Sequence, residues 1–423
     1  MAINLDAGQE LIPARGRDFC RGCSGHNLFS ALDLGVLPLA NELQKTPNEH
    51  VEKFPLHLRI CERCGLGQVA DVVTPERIFV DYRYLSSMSS TFLSHAKEFV
   101  DNLVKNKEVN PSEWVLEIAS NDGYLLKNFL SYGIPVLGIE PARNVSEIAR
   151  ALGIETISEF FSSGLATDLY TKRGFPKIII ANNVMAHVPD LKDVLEGLAI
   201  LCGPSTKIIV ENPTLLGILD KMQFDTIYHE HYSYLSATSV NYLCETVGLS
   251  LNKVEKLEVH GGSNRYWIGS INSQEKKNSS VESSLIIERG RKLFDQETWA
   301  NYSRSVNKTL DALQEWLDDC SKKAKRVYGY GAAAKASTLI NAIELKANQI
   351  IAIADVSDEK QSRFMPPLGI RIISPNDLVK DSPTDVLIFP WNIKEEISLE
   401  LRKILDDDVK LWSAIPVLHE LTF

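Results

Sequence analysis

From Trp114 onward the chain repeats one pattern: a short, almost uninterrupted apolar run, a turn of small or acidic residues, then a stretch with helical spacing. Val115–Ile118 leads into a helix over 124–130, Val136–Ile139 ends at Glu140-Pro141 before a helix over 144–152, and 177–181, Leu191–Leu201 and 207–211 continue the series. Strands apolar on both faces belong to parallel sheets covered by helices on both sides. The pattern resumes at strand 326–329, helix 335–343 and strands 350–354 and 385–389. Between the two blocks, Tyr302, Val306, Leu310, Leu313 and Leu317 at helical spacing predict one long helix over 285–322, and Phe92, Ala96, Phe99, Val100 and Leu103 predict an amphipathic helix over 92–105. The chain is therefore expected to be α/β, with two Rossmann-like units.

Its 423 residues exceed what one core organises. A formal charge of −10 argues against a general nucleic-acid or anionic-membrane surface. No apolar run is long enough to span a bilayer, and residues 1–17 lack the apolar stretch of a secretory leader. A cytoplasmic protein with neither nucleic acid nor membrane as partner is expected.

Four of the seven cysteines form two pairs, Cys20-Arg21-Gly22-Cys23 and Cys61-Glu62-Arg63-Cys64, with 37 residues between them. Two C-x2-C knuckles can present four thiolates tetrahedrally to a zinc ion. Disulfides do not suit a cytoplasmic chain, and a redox dithiol needs only one pair. Four thiolates leave no open coordination position, so this zinc is expected to be structural. The loop-rich segment around them, with Pro38, Pro47 and Pro55, reads as a small zinc-binding domain over 1–75.

The turn after the first parallel strand is Glu117-Ile118-Ala119-Ser120-Asn121-Asp122-Gly123. Ligands of open α/β sheets settle at the carboxyl ends of strands. Small residues let the backbone approach a ligand, but the turn has neither the lysine of a P-loop nor a full G-x-G-x-x-G. Its acids repel pyrophosphate and favour a cationic centre, which S-adenosylmethionine carries as sulfonium and ammonium. Glu140, closing the second strand, is placed to accept ribose hydroxyls, and Asn182 and Asn183 close the third.

Two imidazoles, a carboxylate and three phenols crowd the run Ile227-Tyr228-His229-Glu230-His231-Tyr232-Ser233-Tyr234. Such density suggests proton transfer or a metal. A metal on His229 and His231 requires an extended strand and a third ligand, and a satisfied polar cluster at a domain interface is the plainer reading. Further on, His260-Gly261-Gly262-Ser263-Asn264-Arg265 reads either as a hairpin turn or as an anion-contacting loop with Arg265 as its cation. The turn Gly329-Tyr330-Gly331-Ala332-Ala333-Ala334-Lys335, with Asp355 closing the next strand, taken alone fits a dinucleotide fingerprint and hence an NAD-linked oxidoreductase or epimerase.

The cysteine pairs, Glu-x-Ala-x-Asn-Asp-Gly, Ala186-His187-Val188-Pro189-Asp190, Tyr228-His229-Glu230-His231 and His260-Gly261-Gly262-Ser263 occur in an order that resembles the sugar C-methyltransferases acting on nucleotide-linked 4-keto-deoxysugars. The resemblance runs from about Cys20 to the C-terminus. It implies a zinc-binding domain (1–75), a central S-adenosylmethionine domain (76–284) and a C-terminal α/β domain (285–423) that helps hold a nucleotide-diphosphate sugar. It also implies methylation at C3 through a base-generated enolate. His231 matches the family's base position, Glu230 is a second acid/base or an orienting group, and Tyr228, His187 and Tyr82 lie near the reacting centre. Glu117, Ala119, Asn121, Asp122, Gly123, Glu140, Asn182 and Asn183 are the expected cofactor residues. The expected substrate residues are His260, Gly261, Gly262, Ser263, Arg265 and Lys335, with Lys335 and its helix N-terminus suiting a diphosphate. Cys20, Cys23, Cys61 and Cys64 are the expected zinc ligands. His229 has no assigned role, and the nucleotide, the sugar and the oligomeric state stay open.

Overall fold

The computed structural model describes residues 18–70, 73, 74, 77, 85–88, 90–273 and 276–422. Three sheets organise them.

The first sheet begins as an antiparallel meander of β1 (Leu28–Pro38), β2 (Lys53–Cys61) and β3 (Gly67–Gln68). The central part contributes β4 (Val115–Ile118), β5 (Val136–Ile139), β6 (Thr156–Ile157), β7 (Ile178–Asn182) and β8 (Lys207–Pro213). It continues with β9 (Ser233–Tyr234), β10 (Leu249–Leu257) and β11 (Ser263–Ser270). Seven of these strands form one sheet in the order β10-β11-β8-β7-β4-β5-β6, with β11 antiparallel to both neighbours and β4 to β8 mutually parallel. Strand order reverses at β4, which pairs with β5 on one side and β7 on the other, so a crevice opens at their carboxyl ends. Helix Ser90–Lys105 covers one face through Ala96, Phe99, Val100 and Leu103, as its apolar spacing predicts. Helices Leu191–Leu201 and Ala237–Thr246 cover the other.

The strand β9, although it follows the fifth parallel strand in sequence, is not part of that sheet. Gly67 pairs with Tyr234 and Gln68 with Ser233, so β9 completes the cysteine-bearing sheet in the order β1-β2-β3-β9.

The C-terminal part consists of β12 (Val327–Tyr330), β13 (Ala352–Ala354), β14 (Phe364–Met365), β15 (Ile370–Ile373), β16 (Asp385–Ile388), β17 (Lys410–Ser413) and β18 (His419–Glu420). Their order is β14-β15-β13-β12-β16-β17-β18, parallel inside and antiparallel at both edges, with a second reversal at β12.

The long helix expected over 285–322 is two helices, Ser279–Gly290 and Gln296–Lys322. Lys292 between them is left-handed, with φ of 52°. Asp295 then starts the second helix by accepting the Thr298 N–H at 3.1 Å. The apolar positions that predicted the helix all lie in the second one. The break inserts Phe294 beneath the first sheet, where a Cβ on Gly65 would come within 2.6 Å of the Phe294 ring. One apolar cluster accordingly includes Leu56, Leu58 and Ile60 of β2, Phe224 and Ile227, Trp299 and Val306 of the long helix, and Leu339 and Leu387 of the C-terminal part. Trp299 is fully buried in it, with its indole N–H bonded to the Leu293 carbonyl at 2.7 Å. Trp299→Ala is expected to lower the unfolding free energy by about 3–5 kcal/mol, read from the denaturant midpoint; a loss below about 1 kcal/mol would show that the cluster does not hold the parts together.

Candidate active site

The two cysteine knuckles come together as their spacing predicts. Cys20 and Cys64 sulfurs are 3.5 Å apart, Cys23 and Cys61 sulfurs 3.6 Å, and all four sulfurs lie within 4.8 Å of one another. Tetrahedral thiolates about 2.3 Å from a zinc ion stand at comparable separations. Backbone bonds inside each knuckle, Ser24 N–H to Cys20 O and Gly65 N–H to Cys61 O, form the tight turns such sites use. Donor type, number and spacing therefore fit structural zinc. Among the described residues no other group of three or more His, Cys, Asp or Glu side chains could hold a metal, so the His229/His231 metal reading finds no ligand set.

At the carboxyl end of β4, Ala119, Asn121 and Gly123 all adopt positive φ (52°, 50° and 79°). This wraps the backbone into a concave turn. Gly123 is required there, because a Cβ would approach Ile154 to 2.3 Å. Glu140 accepts the Asn121 N–H at 3.0 Å and the Ala142 N–H at 2.9 Å, tying the ends of β4 and β5 together. The helix entrance closes over the turn, with Ser86 N–H on Asn121 Oδ1 (2.9 Å) and Ser87 N–H on Asp122 Oδ2 (3.2 Å). Four buried polar atoms here have no hydrogen-bond partner among the described residues: Glu117 Oε2, Ser120 Oγ, Asp122 Oδ1 and Asn182 Oδ1. Each unmet group costs about 1–3 kcal/mol, so the crevice is shaped for a polar ligand. Burial, then the charges of Glu140 and Asp122, push the Glu117 carboxyl well above the carboxylate range. Burial also raises Glu140 against the pull of its two backbone donors. A cation lowers both, which suits the sulfonium and ammonium of S-adenosylmethionine. Asn183, left-handed with φ of 55°, bonds the Glu211 carbonyl at 2.6 Å and shapes the neighbouring edge.

The histidine run makes a turn closed by His231 N–H on Tyr228 O at 3.0 Å. Its tip faces the zinc-bearing sheet. His229 Nε2–H donates to the Phe54 carbonyl of β2 at 3.1 Å, and Glu230 Oε2 accepts from Asn41 Nδ2 at 2.8 Å. Burial presses the His229 imidazole down to about 4 and raises the Glu230 carboxyl to about 7. His229, without an assigned role in the sequence reading, is thus a neutral latch onto β2. The two residues at the base of the turn, Tyr228 and His231, are only part-buried. His231 Nδ1 lies 3.2 Å from the Thr226 carbonyl, which can only accept, so Nδ1 carries the proton and Nε2 keeps a lone pair. Tyr228 Oη donates to that lone pair at 2.8 Å. By the same logic His187 Nδ1–H donates to the Glu230 carbonyl at 2.9 Å. Burial lowers the His187 imidazole to about 4, and its ring meets that of His231 edge-on, centroids 4.7 Å apart.

The glycine loop is the hairpin turn between β10 and β11. The Gly261 carbonyl accepts from Lys221 Nζ and Gln223 Nε2, both at 2.8 Å, and Ser263 Oγ bonds the Val259 carbonyl at 3.2 Å. Arg265 is taken up by the protein itself: it pairs with buried Glu211 at 2.8 Å, and its guanidinium lies 4.1 Å over the Phe99 ring. A Cβ on Gly261 would meet Trp391 at 2.5 Å, so the loop abuts the C-terminal part. There Trp391 Nε1–H donates to Asp225 at 2.8 Å, and Lys335, 4.2 Å over the Trp391 ring, bonds Asn392 at 2.6 Å. Burial raises Asp225 to about 6 and lowers Lys335, each opposed by the other's charge. Asp355, the acid of the dinucleotide-like pattern, accepts the Ala332 N–H at 2.7 Å. Tyr82 and the His260 side chain lie outside the described residues. Composition did not single out Asp225, Asn41 or Asn212, whose buried amide has no partner on either atom among the described residues, since none of them belongs to a motif.

His187 and His229 stay neutral in the fold down to about pH 4, whereas in the unfolded chain they protonate below about 6.5. The unfolded state binds more protons over that interval, so stability falls as pH drops from 6.5 towards 4. His229→Gln is expected to flatten the pH slope of the thermal midpoint there; an unchanged slope would remove His229 as a contributor.

Three family models match successive parts of the chain: a zinc-binding domain over residues 20–79, a methyltransferase domain over 92–254 and a C-methyltransferase C-terminal domain over 258–416. The chain is 30% identical to the C-methyltransferase NovU of Streptomyces niveus over 401 residues, which is 94% of this chain and 96% of that protein. Solved structures similar to part of the chain include magnesium protoporphyrin IX methyltransferase (ChlM) from Synechocystis PCC 6803 with bound SAH. The identity is 13% and the TM-score 0.33, covering 42% of this chain and 82% of that one. A SAM-dependent methyltransferase from Anabaena variabilis ATCC 29413 gives 15% and 0.32, covering 41% and 84%. Among the described residues no helix is long and apolar enough to cross a membrane. With its cysteine-bearing module, acid-lined crevice and second α/β sheet in the order these models describe, the chain belongs to the C-methyltransferase family and is an S-adenosylmethionine-dependent C-methyltransferase with a zinc-binding domain.

Proposed function

We propose that the substrate is a nucleotide-diphosphate 4-keto-deoxysugar and that methylation occurs at C3. The observation that carries this reading is the hydrogen bonding of His231. Its Nδ1–H is committed to the Thr226 carbonyl, leaving a basic lone pair on Nε2 beside a phenol in a part-buried site. An imidazole in this state needs no large perturbation to accept a proton near neutral pH. The C3–H of a 4-ketosugar is acidified by the adjacent carbonyl, and its removal leaves a C3 nucleophile with charge on O4.

S-adenosylmethionine, when bound, supplies an electrophilic methyl group on a sulfonium. Glu117, Ala119, Asn121, Asp122, Gly123, Asn182 and Asn183 line its crevice, and Glu140 takes the ribose hydroxyls. His231 Nε2 takes the C3 proton. Tyr228 Oη, donating to Nε2 in the resting site, turns its proton to O4 as the ketone becomes an enolate. Neutral His187, with its Nδ1–H held by Glu230, offers Nε2 as acceptor to a sugar hydroxyl. Glu230, poised at about 7, relays protons to and from the turn. Tyr82 belongs near the reacting carbon. Gly261, Gly262, Ser263 and His260 bound the substrate side, with Arg265 fixed behind them by Glu211. Lys335 suits the diphosphate, since an anion restores the charge that burial disfavours. In this reading residues 1–75 bind zinc, 76–284 bind the methyl donor and 285–423 help hold the nucleotide.

A panel of 4-keto nucleotide sugars assayed for methyl transfer, with C–H exchange into deuterated water followed in parallel, tests the proposal. Methylated product with C3–H exchange is expected from the wild type. His231→Ala is expected to abolish both while keeping cofactor affinity. Exchange at the wild-type rate in that variant would reject His231 as the base, and methylation at oxygen or nitrogen would reject the carbon-acid mechanism.

A further inference from the structure

The zinc knuckle reaches the histidines through one side chain. Arg21 lies between the first two cysteines, yet its guanidinium points into the protein and it is almost fully buried. Nη1–H donates to the Pro189 carbonyl at 3.0 Å, two residues beyond His187. Nη2–H donates to the Val69 carbonyl at 2.5 Å, and the Val69 N–H in turn bonds the carbonyl of Tyr232, the residue after His231, at 3.1 Å. The guanidinium also stands 5.3 Å from the centre of the Tyr232 ring. The Arg21 backbone N–H bonds Gln68 Oε1 at 2.9 Å, where β3 meets β9. One rigid, planar fork therefore ties together the backbone behind His187 and the backbone behind His231, whose rings meet at 4.7 Å.

We propose that Arg21 is a positioning residue: anchored by the zinc knuckle, it sets the mutual geometry of His187 and His231 without touching substrate or cofactor. The proposal rests on His231 being the base. The bonds that shape the crevice at β4 run among Glu140, Asn121, Ala142, Asp122, Ser86 and Ser87, so the loss of Arg21 is expected to act on proton removal and not on cofactor binding. A misplacement of about 1 Å at a reacting group costs on the order of a hundredfold.

The test uses the full-length, zinc-loaded chain and the variants Arg21→Gln, Arg21→Lys and His231→Ala. Zinc content, S-adenosylmethionine affinity by calorimetry, kcat and the C3–H exchange rate are measured for each. Arg21→Gln is expected to keep one zinc per chain and wild-type cofactor affinity, while kcat and exchange fall together by about 10- to 100-fold. Arg21→Lys, which retains a charge but reaches one carbonyl, is expected to fall between the two, and added guanidinium is expected to restore part of the exchange in Arg21→Gln. Wild-type exchange in Arg21→Gln, with exchange abolished in His231→Ala, would overturn the positioning role alone. Exchange surviving in His231→Ala would instead overturn the base on which it rests. Loss of zinc in both Arg21 variants would also overturn the proposal, since Arg21 would then hold the metal site and not the histidines.

Discussion

A two-residue strand carries the organisation of this enzyme. β9 pairs with β3, and through it the turn bearing Tyr228, His229, Glu230 and His231 becomes part of the zinc-bearing sheet. The residues before that turn belong to the other side of the molecule. Asp225 bonds Trp391 and the Ile227 carbonyl accepts from Thr338 of the C-terminal part, while after β9 Leu235 bridges to Thr214, just beyond β8. The eleven residues from Asp225 to Leu235 thus contact all three parts of the chain. Four thiolates fit to staple the segment that contacts the histidine turn, through the Phe54 carbonyl on His229 and Asn41 on Glu230.

The electrostatics of the sheet edges at β4 and β12 are complementary. At β4 the acids Glu117, Asp122 and Glu140 are gathered, and the Glu117 and Glu140 carboxyls are raised, a condition relieved by a cation. At β12 the buried group is Lys335, opposed only in part by Asp225, a condition relieved by an anion. Between them stand groups tuned near neutrality by burial, Glu230 at about 7 and Asp225 at about 6. Buried groups of opposite sign at the two edges fit the separate places proposed for donor and substrate.

Much of this could be read from the chain because it is local. Strands such as Ile178–Asn182 announce themselves by continuous burial, the Cys pairs by spacing, and Gly123 and Gly261 by turns that only glycine tolerates. What escaped is long-range or rests on single residues. The pairing of β9 with β3 joins segments far apart in sequence and leaves no periodic mark on two residues. The break between Ser279–Gly290 and Gln296–Lys322 depends on one cap, Asp295, within an apolar pattern that continues beyond it. The sequence could suggest that His229 and His231 share a role, whereas the turn sends His229 to the Phe54 carbonyl of β2 and His231 to the Thr226 carbonyl and the Tyr228 hydroxyl. Arg265 offered a charge beside a glycine loop, and Glu211, on another strand, claims it.

The claim on which the account stands is that the fold prepares His231 as a neutral imidazole protonated on Nδ1, with its Nε2 accepting from the Tyr228 hydroxyl. Long-range nitrogen–proton NMR correlations on the protein labelled with nitrogen-15 in histidine, with His231→Gln used to assign the signal, measure this directly. At pH 7.5 without substrate the account predicts a protonated Nδ1 and an imine-like, unprotonated Nε2 for His231. A proton on Nε2 with a bare Nδ1, or an imidazolium at that pH, would contradict it.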